Sequence, residues 1–303
     1  MAKQLPPASK PSGFGTPSSF GPSSQAGDRP PSAAHNHIGF IGGGNMAGAI
    51  IGGLLKKGVP RGHITVVEPW DEARAKLQSD FGLVAHPMPG PVLDLARTVV
   101  WAVKPQVFKE AALQARFHTQ QALHLSVAAG IRSDSMAHWL GTERIVRAMP
   151  NTPALIGKGM TALFARPSVS DADRHVVEKV LAATGESLWV DNEEQLDAVT
   201  ALSGSGPAYV FYFIEAMTQA GADMGLPRAQ AHQLAVGTFF GASALAHASQ
   251  EPPEILRQRV TSKGGTTFAA ISAMEQEGLK EVFMRAIHAA QQRARELGDE
   301  FGN

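Results

Sequence analysis

The chain contains no cysteine. Disulfides, thiolate metal sites and a cysteine nucleophile are excluded, and the composition suits a reducing compartment, with the cytoplasm as the expected location. Tyrosine is scarce: Tyr209 and Tyr212 are the only two, and Phe213 and Ala216 stand four residues after them, so there is no Tyr-x-x-x-Lys pair for proton transfer. No lysine occurs between Pro207 and Pro227, which disfavours a hydroxyacid dehydrogenase with a lysine on an interdomain helix. The 11 histidines show no H-E-x-x-H or similar spacing, so no metal is expected. Neither charge sign is in excess, with 27 Lys+Arg against 27 Asp+Glu, and neither nucleic acid nor a membrane surface is an expected partner. Uninterrupted apolar runs of membrane-spanning length are missing as well. The longest candidate, Ala208 to Met217, is broken by Glu215.

What is present is enough for two domains: 303 residues, 44% hydrophobic and 18% charged. Residues 1–34 are dominated by Pro, Ser and Gly, as in KPSGFGTPSSFGPSS, and read as a disordered tail. The prolines argue against the amphipathic helix of a transit peptide. From His37 short β-branched runs alternate with helical stretches. Strands are expected at Ile38–Ile41, Ile64–Val67, Val99–Val103, Leu123–Val127, Ile145–Ala148 and Leu188–Val190, with amphipathic segments such as Asp71–Asp80 and Gln106–Phe117 between them. That alternation predicts an α/β fold, a Rossmann-type doubly wound parallel sheet over residues 35–192. After about Asn192 the pattern becomes helical, predicting an all-α domain over 193–303 with breaks at Ser203–Pro207, Gly225–Pro227, Glu251–Pro253 and Lys263–Thr267. The helix from Pro207 to about Asp223 is apolar on nearly every side (AYVFYFIEAM), and its surplus faces are expected to bury against a second copy of the chain.

Residues 37–50, HIGFIGGGNMAGAI, carry the first chemistry. Gly42-x-Gly44-x-x-Ala47 fits the dinucleotide fingerprint: one glycine for the tight turn, one for approach to a pyrophosphate, and a small residue for close helix–sheet packing. The same glycines also suit a bare strand-to-helix turn; the strand before, the helix after and the βα units that follow favour the dinucleotide. Glu68, at the end of the next strand, lies roughly 20 residues past the motif, where an acid accepts from ribose hydroxyls. A carboxylate there repels a 2′-phosphate and favours NAD, although Arg74 a little further on offers a phosphate partner. Pro105 in WAVKPQ ends a strand and starts a helix, so Ala102 to Pro105 belong at the carboxyl edge of the sheet, where ligands bind. Lys104 reads as a solvated or capping lysine rather than a proton donor. SVAAG (126–130) and AMPNTP (148–153) are expected in the same crevice, with Asn151 and Thr152 offering hydrogen bonds.

In order and spacing, IGFIGGGNMAGAI, AVKPQ, SVAAG, MPNTP, TALSGSGPAY and VTSKGGTT resemble pyrroline-5-carboxylate reductases, from about His37 to Leu297. The resemblance implies reduction of 1-pyrroline-5-carboxylate to L-proline by NADP(H) or NAD(H), the last step of proline biosynthesis. It implies that residues 193–303 form a dimerisation and substrate-binding domain, with dimers that commonly assemble into decamers. Its cofactor contacts fall on Ile41, Gly42, Gly43, Gly44, Asn45, Met46, Glu68, Ala102, Val103, Lys104, Pro105, Ala128, Ala129, Gly130 and Asn151. Its substrate loop falls on Ser262, Gly264, Gly265, Thr266 and Thr267: Ser262 and the N–H groups of 265–267 hold the carboxylate, and Thr267, the catalytic candidate, sits beside the ring nitrogen. Without the resemblance, SKGGTT reads equally as a helix-cap loop with Thr266 or Thr267 as the cap. The chain departs from the family pattern at Lys263, where many members have proline, at Met88–Pro89, where many have asparagine, and at Glu68, where NADP(H) users carry small polar or basic residues. Two rivals stand beside this reading: a reductase of a related cyclic imine such as 1-pyrroline-2-carboxylate, and a non-catalytic dinucleotide-binding dimer.

Overall fold

The computed structural model describes residues 37–302; the expected tail, 1–34, lies outside them. The strands are β1 (Ile38–Ile41), β2 (Ile64–Val67), β3 (Thr98–Trp101), β4 (Leu123–Ser126), β5 (Ile145–Met149), β6 (Gly159–Ala165) and β7 (Gly185–Trp189). They form one sheet in the order β2-β1-β3-β4-β5-β6-β7. Every neighbouring pair is parallel except β5 and β6. The sequence reading therefore needs a correction: β6 was not among the expected strands, and the sheet is mixed. β6 follows β5 through a short 3-10 turn, Thr152–Ile156, so the chain returns antiparallel without the helical crossover that a parallel pair requires.

Helices α1 (Asn45–Lys56), α2 (Asp71–Phe81) and α5 (Asp171–Leu181) cover one face; α3 (Pro105–Thr119) and α4 (Ser133–Leu140) cover the other. Strand alternation divides the core between them. Phe40 and Val100 join Ile50, Ile51, Leu77 and Val180 on the first face, while Ile41, Val99 and Trp101 join Phe108, Ala112, Met136 and Leu140 on the second. Complete burial of side chains such as Ile50, Ile51 and Phe108 contributes about 1.5–3 kcal/mol each. Under the second face, Trp101 Nε1 donates to His124 Nδ1 at 2.9 Å and His124 Nε2 lies 3.1 Å from Thr119 O. An Nδ1 that accepts leaves the proton on Nε2, so the ring is neutral. Burial pushes its pKa down to about 4.

Beyond β7 the chain is helical: α6 (Gln195–Val199), a π-turn over Thr200–Gly204, α7 (Gly206–Asp223), α8 (Arg228–Ala248), α9 (Pro253–Arg259), α10 (Thr266–Gln276) and α11 (Leu279–Phe301). The breaks expected at Gly225–Pro227, Glu251–Pro253 and Lys263–Thr267 appear, whereas at Ser203–Pro207 the chain continues through the π-turn into α7. One more break falls at Gly278, whose φ of +64° is left-handed and ends α10 as glycine commonly does. α7 and α8 pack on each other, and α11 packs on α6, α10 and the π-turn. Much of α7 and α8 is uncovered in the single chain: Phe211 is 58% exposed, Tyr212 70% and Phe240 73%. Apolar area of this extent is what an association surface presents. Among the described residues no helix is long and apolar enough to cross a membrane.

Candidate functional site

The first glycine turn is built for something that needs backbone rather than side chains. Gly42 has φ +95°, and a Cβ there would lie 2.5 Å from Ala102 O and 3.0 Å from Val103 Cγ1. Only glycine permits both the left-handed backbone and that approach. Gly42 N–H donates to Val67 O at 2.8 Å, and Ala102 N–H to Ile41 O at 2.8 Å, so β1, β2 and the loop after β3 converge on this turn. Nothing stands within 4 Å of a Cβ at Gly44. Gly44 caps α1 with no side-chain hydrogen bond, and the first turn holds no acidic residue. The N–H groups there are unspent and their dipole favours an anion. Asn45 is exposed, Met46 half-buried and Ala47 fully buried, and Ala47 brings α1 close to the sheet. These features fit a dinucleotide pyrophosphate.

Glu68 is at the end of β2 and buried. Its Oε2 accepts from Gly43 N–H at 2.7 Å and its Oε1 from Trp70 N–H at 2.9 Å, so the acid is fastened to the glycine turn. Arg74 is turned inward: Nη1 donates to Glu68 O at 2.9 Å and Pro69 O at 2.7 Å, and Nη2 pairs with Asp71. Its guanidinium is thus largely spent on its own loop. Pro105 opens α3 with Lys104, exposed, as its N-cap. Val127 N–H donates to Trp101 O at 3.0 Å, which sets the Ala128, Ala129 and Gly130 loop beside Ala102–Pro105.

Asn151 sits at the end of β5, where Nδ2 donates to Ser203 O at 3.1 Å and Oδ1 accepts from Met160 N–H at 2.9 Å. It ties β6 to the π-turn. Tyr209 Oη donates to Ala201 O at 3.0 Å, and Phe283 packs edge-on against Tyr209 and Phe213. A cavity of about 560 Å³ opens at this junction, lined by Asn151, Pro153, Leu202, Ser203, Tyr209 and Phe283 among others. The TALSGSGPAY and MPNTP segments therefore meet at one hollow.

The loop before α10 is separate. Ser262, Lys263, Gly264 and Thr266 are exposed, with Thr267 half-buried. Gly264 has φ +77°, and Gly265 N–H donates to Ser262 O at 3.0 Å. The N-cap of α10 is Gly265, without a side-chain hydrogen bond and with no acid in the first turn. Neither threonine is the cap. The donors on offer start at Thr266, because Gly265 N–H is already engaged.

Sequence reasoning missed a group of charges at the junction of the two parts. Arg147, buried, pairs with Glu193 at 2.6 Å, and Glu193 also accepts from Ser133 N–H at 2.6 Å and Ser133 Oγ at 2.5 Å. Arg132 reaches Asp197 at 3.9 Å and Asp299 at 3.5 Å. Burial raises the Asp197 carboxyl above its ordinary range, against the pull of Arg132 and Arg147. No local pattern marks these residues, since their partners lie far away in the chain.

A doubly wound sheet with an unblocked glycine turn and an acid beside it defines a dinucleotide-binding protein. Residues 37–130 match the family model described as NADP oxidoreductase, coenzyme F420-dependent, and residues 193–297 match the model for pyrroline-5-carboxylate reductase dimerisation. The pyrroline-5-carboxylate reductase of Pseudomonas aeruginosa is 44% identical over 268 residues, 88% of this chain and 98% of the relative. That of Pisum sativum is 37% identical over 262 residues, 86% of this chain and 95% of the relative. Among solved structures, the Coxiella burnetii enzyme aligns with a TM-score of 0.81 at 36% identity, covering 87% of this chain and 98% of that one. A Plasmodium falciparum pyrroline carboxylate reductase with NADP bound aligns with a TM-score of 0.79 at 26% identity, over 88% and 100%. The chain belongs to the pyrroline-5-carboxylate reductase family.

Proposed function

We propose that this chain reduces 1-pyrroline-5-carboxylate to L-proline with NADH or NADPH, working as a dimer in the cytoplasm. The observation that carries the reading is the pair of unblocked helix N-termini, one behind the glycine turn at Gly44 and one behind the SKGGTT loop at Gly265. Each offers N–H donors and a positive dipole end to an anion, a pyrophosphate at the first and a carboxylate at the second.

The C=N bond takes a hydride at carbon and a proton at nitrogen. When bound, the reduced nicotinamide supplies the hydride. The chain's own residues do the rest. Gly42, Gly44 and the loops Ala102–Pro105 and Ala128–Gly130 hold the coenzyme against the carboxyl edge. Ser262 and the first-turn N–H groups of α10 hold the substrate carboxylate, and Thr267 Oγ1 hydrogen-bonds the ring nitrogen, donating to the neutral imine and accepting from the N–H of its protonated form. A protonated imine is already electrophilic, so positioning matters more than a strong acid. Holding the two reactants near contact supplies on the order of 7–11 kcal/mol of the barrier.

In the single chain the substrate loop is exposed and the apolar faces of α7 and α8 are bare. Dimerisation through these helices brings the loop of one protomer to the coenzyme of its partner. The test is coenzyme oxidation coupled to proline formation, on 1-pyrroline-5-carboxylate and 1-pyrroline-2-carboxylate in parallel, with light scattering to count copies. Turnover of the 5-carboxylate by a dimer or a higher even assembly is expected. A strong preference for the 2-carboxylate, or no turnover of either, overturns the reading.

A further inference from the structure

The residues directly after the Ala128–Gly130 loop bind it to the far end of α11. Gly130 has φ +72°, and a Cβ there would stand 3.4 Å from Leu297 Cβ. The Arg132 guanidinium lies on Gly298, where an added Cβ would come within 3.0 Å of Nη2 and 3.2 Å of Cζ. The same guanidinium faces buried Asp197 on α6 and Asp299 on α11, at 3.9 and 3.5 Å. Ser135 Oγ donates to Gly302 O at 2.5 Å. The end of α11 is thus seated at successive points on the loop's last residue, on Arg132 and on the first turn of α4. The helix has 23 residues, about 35 Å at 1.5 Å each, and its other end follows α10, whose first turn carries the SKGGTT loop.

Neither pair adds much net stability: Asp299 is solvent-exposed, so its pair is screened, and at buried Asp197 desolvation offsets much of the attraction. Their geometry is another matter. A glycine at 298 is what lets the guanidinium lie flat, and a displacement of about 1 Å at a reacting pair costs on the order of 100-fold in rate.

We propose that Arg132 is a positioning residue for hydride transfer: resting on Gly298 and facing Asp197 and Asp299, it fixes the coenzyme loop Ala128–Gly130 to α11. This rests on the reading of that loop as a coenzyme contact. α11 belongs to the helical part that docks on the partner, whose own SKGGTT loop meets this coenzyme, so the coenzyme loop is placed against the part through which the two protomers are registered.

Three variants of the full chain test it: Arg132→Met, Arg132→Lys and Gly298→Ala. For each, the melting midpoint, the NADH dissociation constant by titration calorimetry, kcat, KM for the imine and the primary isotope effect with 4-deuterated NADH are measured. The expected result is NADH affinity within threefold of wild type and kcat down tenfold or more for Arg132→Met and threefold or more for Gly298→Ala. The isotope effect rises in both, and lysine partly restores the rate. Unchanged kcat and isotope effect in a folded variant overturns the proposal, as does NADH affinity falling in step with kcat. If Arg132→Met does not fold, Gly298→Ala, which keeps every charge, decides by the same criteria. Wild-type turnover in the same assay reports on the function itself, independently of the variants' ratio to it.

Discussion

Glu68→Ser isolates the carboxylate that we propose faces the coenzyme's adenosine side. NADPH carries a phosphate where NADH has a ribose hydroxyl, and the end of β2 is where that group arrives in such folds. Glu68 is buried and held in place by Gly43 and Trp70 N–H groups, so it cannot swing aside without leaving two donors unpaired. At an effective dielectric of about 20, two unit charges about 5 Å apart repel by roughly 3 kcal/mol, and partial solvation reduces this to about 1.4–3 kcal/mol. Arg74 does little to offset it, because its guanidinium is taken by Glu68 O, Pro69 O and Asp71. Wild type should therefore prefer NADH. The variant's ratio of kcat/KM for NADPH over NADH should rise about 10- to 100-fold. Losing both acceptors also costs about 1–3 kcal/mol of stability, so the ratio, not either absolute value, is the readout. Glu68→Gln, which keeps the shape and drops the charge, should move the ratio the same way. A ratio within twofold of wild type in both variants would refute the reasoning.

Thr267→Ala should lower kcat about 10- to 100-fold, the usual scale for one positioned proton-handling group, while NADH affinity by calorimetry stays nearly unchanged; equal loss of both would make the loop purely structural. His124 supplies a pH signature: the neutral ring's contribution is complete above about pH 6.5 and is lost as pH falls toward its folded pKa of about 4, at about 1.4 kcal/mol per unit. The difference in unfolding free energy between wild type and His124→Gln should shrink across that window, and a pH-independent difference would contradict the assignment. Phe240→Asp places a charge on the bare face of α8, and a buried unpaired charge costs several kcal/mol. Sedimentation velocity should show monomers and the activity should vanish; an unchanged sedimentation coefficient would place the interface elsewhere.

The sheet was legible where β-branched runs alternate with helical periods, and the glycine turn because few residues tolerate what Gly42 does. β6 was not, since GMTALFA has small and polar positions and pairs with β5 through a turn that no periodicity announces. Ser203–Pro207 reads as a break because of Gly204, Gly206 and Pro207; instead the chain widens into a π-turn over Thr200–Gly204, with Ser205 N–H on Thr200 O at 2.8 Å, and runs on into α7. The position of Glu68 was readable from spacing, but its bond to Gly43 N–H was not. Nor was the Arg132 contact with Gly298, which joins residues far apart along the chain.

The most direct measurement is a ternary crystal structure with NADH and a non-reacting proline analogue. The pyrophosphate is expected at Gly42–Gly44, the analogue's carboxylate on Ser262 and the first-turn N–H groups of α10, and Thr267 Oγ1 beside the ring nitrogen. An analogue bound away from Ser262–Thr267, or a coenzyme away from the first glycine turn, would contradict this arrangement.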